Sequence, residues 1–264
     1  MGFKNKIVWI TGASSGIGEA LSYELSKQGA RLILSSRNEE ALTKVKKNCL
    51  HPEHTVILPL DLADYSDFEQ QVATAIAFFG RIDILVNNGG ISQRSLVKDT
   101  TIAVDEQIMK INYLGTVALT KALLPHFIAK KQGHFVVTTS IVGKIGTPLR
   151  SSYAASKHAL HGFFDSLRAE HFYDNIKVSL ICPGFVATQV SINALTGDGS
   201  KQNTMDKATK NGMAPTLFAQ KMAKAIQKEK QESYIGGTKE VLAVYVKRFF
   251  PLLLSKMIRK LAVT

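Results

Sequence analysis

Tyr153 and Lys157 stand four residues apart in a stretch with helical spacing, so their side chains share one helix face. Many helices carry such a pair by chance, and its company gives it meaning. Ser140 stands thirteen residues before Tyr153 at the end of an apolar run, and Asn112 interrupts the apolar side of a long helical stretch. Polar groups in such places need partners if buried. A phenol holds its proton at neutral pH unless its anion is stabilised, and an ammonium one helical turn away does this. Tyr153 is therefore a candidate general acid/base and Lys157 its electrostatic partner. Ser140 is a candidate donor to a substrate oxygen on which charge develops, and Asn112 a candidate holder of a water that relays protons between Lys157 and solvent. The set suits interconversion of a carbonyl and an alcohol, in which hydride moves to or from carbon and a proton to or from oxygen.

Hydride needs a carrier, and the first strand-to-helix turn is shaped to hold one. Thr11 to Gly18 reads Thr-Gly-Ala-Ser-Ser-Gly-Ile-Gly, with glycine at 12, 16 and 18 and Ser14, Ser15 and Ile17 between them. Glycines let the backbone turn sharply and approach a pyrophosphate, which the free N–H groups and positive dipole end of the following helix attract. The spacing is Gly-x-x-x-Gly-x-Gly, and its place after the first strand distinguishes it from an ordinary tight turn. The second strand ends in Ser35-Ser36-Arg37 with no acidic residue to meet a ribose diol. Arg37 is placed to pair with a 2′-phosphate, so NADP(H) is expected over NAD(H). Asp61, with the adjoining Leu62, follows the third strand as a candidate for the adenine amino group or as a cap for the next helix.

Two other chemistries are weaker. Ser140 lies in no Gly-x-Ser-x-Gly elbow, and the seven histidines show no placement suited to a hydrolase base. His158 and His161 lie on the Tyr153 helix without further ligands, which reads as packing rather than a metal site.

The elements that must position these groups alternate. Apolar runs at Lys6 to Thr11, Arg31 to Ser35, Thr55 to Pro59, Ile82 to Asn87, His134 to Thr139 and Lys177 to Cys182 predict strands. Helical spacing fills Gly18 to Lys27, Asn38 to Asn48, Asp64 to Phe79, about Ile102 to Lys130, and Ser151 to Asp174. Continuous apolar strands separated by helices predict a parallel sheet of about seven strands covered on both faces. The expectation is an α/β, single-domain, doubly wound Rossmann fold over residues 1–264. Residues 185–215 lack periodicity and predict a mobile substrate loop or short helices over the site.

The length of 264 residues, 45% hydrophobic and 20% charged, permits one such domain. Two cysteines, Cys49 and Cys182, give no disulfide framework, so a reducing, cytoplasmic setting is expected. The N-terminal apolar run is too short for a signal peptide or membrane span. Net charge is +12, and the stretch from Asp198 onward holds thirteen Lys or Arg against five Asp or Glu. No nucleic-acid module accompanies this charge, so no nucleic-acid partner is expected. Residues 241–264 are apolar and basic together, which suits either an arm packed over the substrate pocket or a segment lying in a membrane interface. Either way, an apolar tail near the substrate loop predicts a hydrophobic substrate; the second reading adds a peripheral membrane contact through this arm. The alternative function is a binding or regulatory protein at a membrane surface that responds to its dinucleotide.

Thr11 to Gly18, Asp61, Asn87-Asn88-Gly89-Gly90, Asn112, Ser140, Tyr153 to Lys157 and Pro183-Gly184, in this order and spacing, resemble the classical short-chain dehydrogenase/reductase family. Tyr153 to Ala159, Phe163 to Glu170 and Pro183 to Val186 look most like its dehydrogenase/reductase member 7 and 7B group. The resemblance implies that Asn88, Gly89 and Gly90 line the adenosine side and that Pro183, Gly184, Val186 and Thr188 border the nicotinamide. It implies that Lys157 also holds the nicotinamide ribose, that two long helices pack a homodimer or homotetramer, and that substrates are lipid, steroid or retinoid carbonyls. Gly89 departs from the family, which has alanine there; the lost methyl is expected to loosen the turn without removing chemistry.

Overall fold

The computed structural model describes residues 2–259. Seven parallel strands form one sheet: β1 (Ile7–Thr11), β2 (Arg31–Ser35), β3 (Thr55–Ile57), β4 (Ile84–Asn87), β5 (Gly133–Thr138), β6 (Ile176–Pro183) and β7 (Glu232–Ile235). Their spatial order is β3-β2-β1-β4-β5-β6-β7. The chain winds outward from β1 in one direction, then returns to add β4 on its other side. The carboxyl ends of β1 and β4 therefore flank the crevice in which doubly wound sheets take their ligands.

Alternation along each strand sends neighbouring side chains to opposite faces. Val8, Ile10, Leu32, Leu34 and Val86 face one way and bury the inner sides of α1 (Gly16–Lys27) and α8 (Pro215–Gln227) through Leu21, Leu25, Phe218 and Met222. Ile7, Trp9, Ile33, Leu85 and Phe135 face the other way. They pack beneath α3 (Phe68–Phe79), α5 (Thr116–Lys130) and α6 (Ser151–Glu170) against Phe68, Leu123, Phe127 and Phe164. Trp9 is fully buried, and its indole N–H donates to Ser35 Oγ at 2.8 Å, so the largest core side chain leaves no polar atom unpaired. α2 (Glu39–Asn48) follows β2, and the side chain of Asn38 caps it by accepting from Ala41 N.

Several boundaries differ from the sequence expectation. The single helix expected over residues 102–130 is α4 (Ile102–Met109), a π turn (Lys110–Gly115) and α5. Periodicity alone does not reveal an i→i+5 turn between two helices of the same direction. Gly115 closes that turn because a Cβ there would stand 2.0 Å from the carbonyl oxygen of Leu62. α6 ends at Glu170, four residues short of the expected Asp174, and β3 ends at Ile57. The seventh strand and α8 had no assigned span in the sequence.

Beyond β6, residues 185–215 form a folded loop with the four-residue helix α7 (Lys207–Lys210). A bridge pairs Val186 with Met213, and a buried ion pair anchors the loop: Arg94 Nε and Nη2 donate to Asp206 Oδ2 at 2.7 and 2.5 Å. The chain then forms α8, β7, α9 (Thr238–Phe249) and α10 (Pro251–Ile258). The last part of the basic arm, residues 260–264, lies outside the described residues. Among the described residues no helix is long and apolar enough to cross a membrane.

Candidate active site

Gly12 and Gly16 adopt left-handed backbone conformations, with φ of 63° and 59°, that side chains rarely accept. A Cβ on Gly18 would lie 2.2 Å from the carbonyl oxygen of Gly12, so this glycine lets the loop fold tightly onto the start of α1. Ser15 precedes α1 without a side-chain cap, which leaves the first N–H groups of the helix for another acceptor. Asn88 ties the loop to the end of β4, its Nδ2 donating to the carbonyls of Thr11 and Gly12 at 3.1 and 3.3 Å. Thr11 Oγ1 in turn accepts from the N–H groups of Asn88 and Gly89, both at 3.0 Å. Thr188 stands over the loop, within 3.1 Å of where a Cβ on Gly16 would sit. A narrow backbone cradle with unspent donors fits the pyrophosphate of a dinucleotide. Ser14, Ser15, Gly16 and Ile17 would hold that group.

Arg37 lies exposed just beyond β2 and makes no ion pair among the described residues, so its guanidinium remains available to an anion at the adenosine end. Asp61 Oδ1 accepts from Ala63 N at 2.9 Å. It caps no helix, since α3 begins at Phe68, and its other oxygen remains for a ligand. Leu62 is buried, and its Cδ1 lies 2.6 Å from where a methyl on Gly89 would sit. The departure at position 89 thus has a packing partner: leucine fills the space that alanine would take, so the turn is not loosened.

The catalytic candidates converge at the carboxyl ends of β4, β5 and β6. Lys157 is buried, its Nζ donates to the carbonyl of Thr138 at 2.9 Å, and it lies 5.8 Å from the centre of the Tyr153 ring. Burial pushes the Lys157 ammonium down to about 8. Ser140 Oγ accepts from Val142 N at 3.1 Å, and its own proton has only the carbonyl of Pro183 at 3.5 Å, a distance too long to hold it firmly. The hydroxyl proton of Ser140 is therefore free to turn to a substrate oxygen.

Asn112 lies in the π turn and clamps the loop after β4. Its Oδ1 accepts from Ile91 N at 2.8 Å, and its Nδ2 donates to Ile91 O at 2.9 Å and Ser156 Oγ at 3.1 Å. Both amide protons are spent within the protein, which leaves the second lone pair of Oδ1 for a water. A Cβ on Gly90 would lie 2.9 Å from that oxygen and 3.6 Å from Lys157 Nζ, so glycine keeps the approach between these two polar atoms free.

A cavity of about 330 Å³ opens beside these groups. Ser140, Tyr153, Pro183 and Gly184 line one side, and Ile141, Val142, Ile145, Val186 and Leu254 supply much of the rest. Arg94 and Arg150 enter the wall where Asp206 joins them; burial, then the charge of Arg94, brings Arg150 down to about 10.

Three positioning residues had no signal in the sequence reading. Gln93 Oε1 accepts from the N–H groups of Ser152 and Tyr153 at 2.9 and 3.4 Å and so caps α6 from 59 residues away. Neither Arg94 nor Asp206 has a local pattern that announces its partner. The two histidines of α6 take packing roles: His158 bonds the carbonyl of Ala154, and His161 is buried 3.9 Å from Cys182 Sγ.

Residues 6–199 match the sequence profile of the short chain dehydrogenases. The chain is 41% identical over 263 residues to a dehydrogenase/reductase SDR family protein 7-like of Drosophila melanogaster, covering 98% of this chain and 81% of that protein. It is 44% identical over 253 residues to human dehydrogenase/reductase SDR family member 7, covering 93% and 74%. Among solved structures, levodione reductase superposes with a TM-score of 0.81 at 25% identity, covering 90% of this chain and 99% of that one. A short chain dehydrogenase/reductase from Burkholderia phymatum in complex with NAD superposes with a TM-score of 0.83 at 20% identity, covering 96% of each. With a parallel seven-stranded sheet, a glycine cradle and the Tyr153–Lys157 pair in place, the chain belongs to the short-chain dehydrogenase/reductase family of oxidoreductases.

Proposed function

We propose that this oxidoreductase uses NADP(H) to interconvert a carbonyl and an alcohol on a hydrophobic substrate of lipid, steroid or retinoid type. The observation that carries the reading is the convergence of Ser140 and Tyr153 on one largely apolar cavity, beside the buried Lys157. A dinucleotide held by the Gly12–Gly18 cradle would supply or accept the hydride. In reduction, Ser140 donates a hydrogen bond to the substrate oxygen, and Tyr153 delivers the proton that this oxygen requires. The Lys157 charge favours the negative charge left on the Tyr153 oxygen, and a water between Lys157 Nζ and Asn112 Oδ1 returns the proton from solvent. Lys157 would also hold the nicotinamide ribose of the bound dinucleotide, with Pro183, Gly184, Val186 and Thr188 bordering its ring and Asn88 to Gly90 its adenosine side. Apolar walls exclude water from the reacting carbon and select for greasy substrates.

A homodimer or homotetramer formed through α5 and α6 completes the proposal, supported by the groove that Leu124 and Phe163 line on their outer faces. A purely regulatory dinucleotide sensor is less well supported, since it would have no use for Ser140 and Tyr153 on a shared cavity.

The cofactor assignment is tested by following nicotinamide fluorescence as NADPH or NADH is added to wild type and to Arg37→Ala. Loss of one charge-assisted pair to a 2′-phosphate weakens NADPH binding by roughly 10-fold or more and leaves NADH binding unchanged. Equal losses for both cofactors would remove Arg37 from the phosphate site.

A further inference from the structure

The last two helices have two contrasting faces. The inner face is committed to the protein: Val244 and Leu254 are buried in a cluster with Ile141, Ile145 and Cys182, and Leu254 and Ile258 form part of the cavity wall. The outer face carries Leu242, Tyr245, Phe249, Phe250, Leu252, Leu253 and Met257, all exposed, with Leu252 at 81% and Phe249 at 69%. Among them stand Arg248, Lys256 and Arg259, while Lys247 Nζ donates to the carbonyl of Lys144 at 2.7 Å, and residues 241–259 contain no acidic side chain. A group of large apolar side chains exposed on two successive helices marks an interaction site.

Length and charge together identify its partner. α9 and α10 have twelve and eight residues and are too short to span a bilayer. Leucine and phenylalanine beside cations match a segment that buries its apolar side chains at the headgroup boundary and pairs its cations with anionic lipid. A second copy of the same patch would instead bring three cations against three across a twofold axis. The position of α10 adds a consequence. It joins α9 through Phe250 and, among the described elements, packs chiefly on α9, so that one short helix separates the cavity from the outer apolar face.

We propose that α9 and α10 dock this protein on an anionic lipid surface, and that α10 is the gate through which a membrane-dissolved substrate reaches the cavity. The gate function rests on reading that cavity as the substrate site; the docking function does not.

The protein is sedimented with vesicles of phosphatidylcholine alone or with about 30 mol % phosphatidylserine, and α10 is followed by hydrogen exchange. The protein binds the anionic vesicles, binding weakens with added salt, and exchange in 251–258 changes on binding. Lys256→Gln with Arg259→Gln weakens association by roughly 25-fold, about fivefold for each cation. Leu252→Ser with Leu253→Ser weakens it by more than about 100-fold. NADPH binding by both variants stays at the wild-type level, so a failed oxidoreductase reading would appear there and not in sedimentation. No binding to anionic vesicles, or equal binding by the leucine variant, would overturn the docking proposal, as would a shift of that variant from dimer to monomer without loss of vesicle binding. Vesicle binding with unchanged exchange in α10 would overturn the gate.

Discussion

Lys157→Met should make the cofactor-free protein more stable while destroying its activity. Burial alone brings the Lys157 ammonium from its ordinary 10.5 down to about 8. Between these values the folded chain holds fewer protons than the unfolded one, so stability rises with pH across that window. Below pH 8 the burden of the buried charge is fully present, and 2.5 units correspond to about 3 kcal/mol. Methionine nearly conserves the shape and removes the charge, but it loses the donor to the Thr138 carbonyl, at a cost of about 1 to 1.5 kcal/mol. The balance favours the variant by about 2 kcal/mol at pH 7, or roughly 5 °C in Tm for a chain of this size. Urea melts of the cofactor-free proteins at pH 7 and pH 10 measure this directly. The advantage should shrink at pH 10, where the folded lysine has lost its proton while the unfolded one, at 10.5, largely keeps it. A variant less stable than wild type at pH 7, or an advantage that does not change with pH, would refute the claim that a desolvated charge is held there for function.

The same group should set the pH dependence of activity. kcat/KM for carbonyl reduction should hold below about pH 8 and fall above it as the free enzyme loses the Lys157 charge; a profile flat to pH 10 would separate that charge from catalysis. Two glycines of the cofactor cradle should respond differently to a single methyl. Gly89→Ala clashes with the end of Leu62, a flexible side chain, and meets Gly12 N and Thr11 Oγ1 at an ordinary 3.4 Å, so stability should change by less than about 1 kcal/mol and NADPH should still bind. Gly18→Ala meets the backbone oxygen of Gly12 and should weaken NADPH by at least about 10-fold, read by nicotinamide fluorescence; equal behaviour of the two would mean that the cradle is not tight.

The order of strands and helices was legible because each buried strand writes a continuous apolar run and each covering helix a 3.6-residue period. That Tyr153, Lys157, Ser140 and the glycine loop would lie near one another was legible for a related reason: local spacing and position at strand ends fix where they fall. The π turn at Asn112 was hidden, since one extra residue between two helices leaves the apolar pattern nearly unbroken. Gln93 was hidden because it caps α6 across 59 residues, and the Arg94–Asp206 pair because it spans 112. Gly89 reads from the sequence as a missing methyl, and only the neighbouring Leu62 explains it. Short β7, with half-buried Glu232, Ser233 and Tyr234, lacks the apolar run that marked the other strands.

The most direct measurement is single-turnover oxidation of NADPH by Tyr153→Phe mixed with a hydrophobic ketone that wild type reduces. Tyr153 lines the cavity, and removal of its hydroxyl should leave folding and NADPH affinity intact. With the proton donor gone, hydride transfer should slow by at least about 100-fold. Hydride transfer at the wild-type rate would contradict the assignment of Tyr153 as the acid/base.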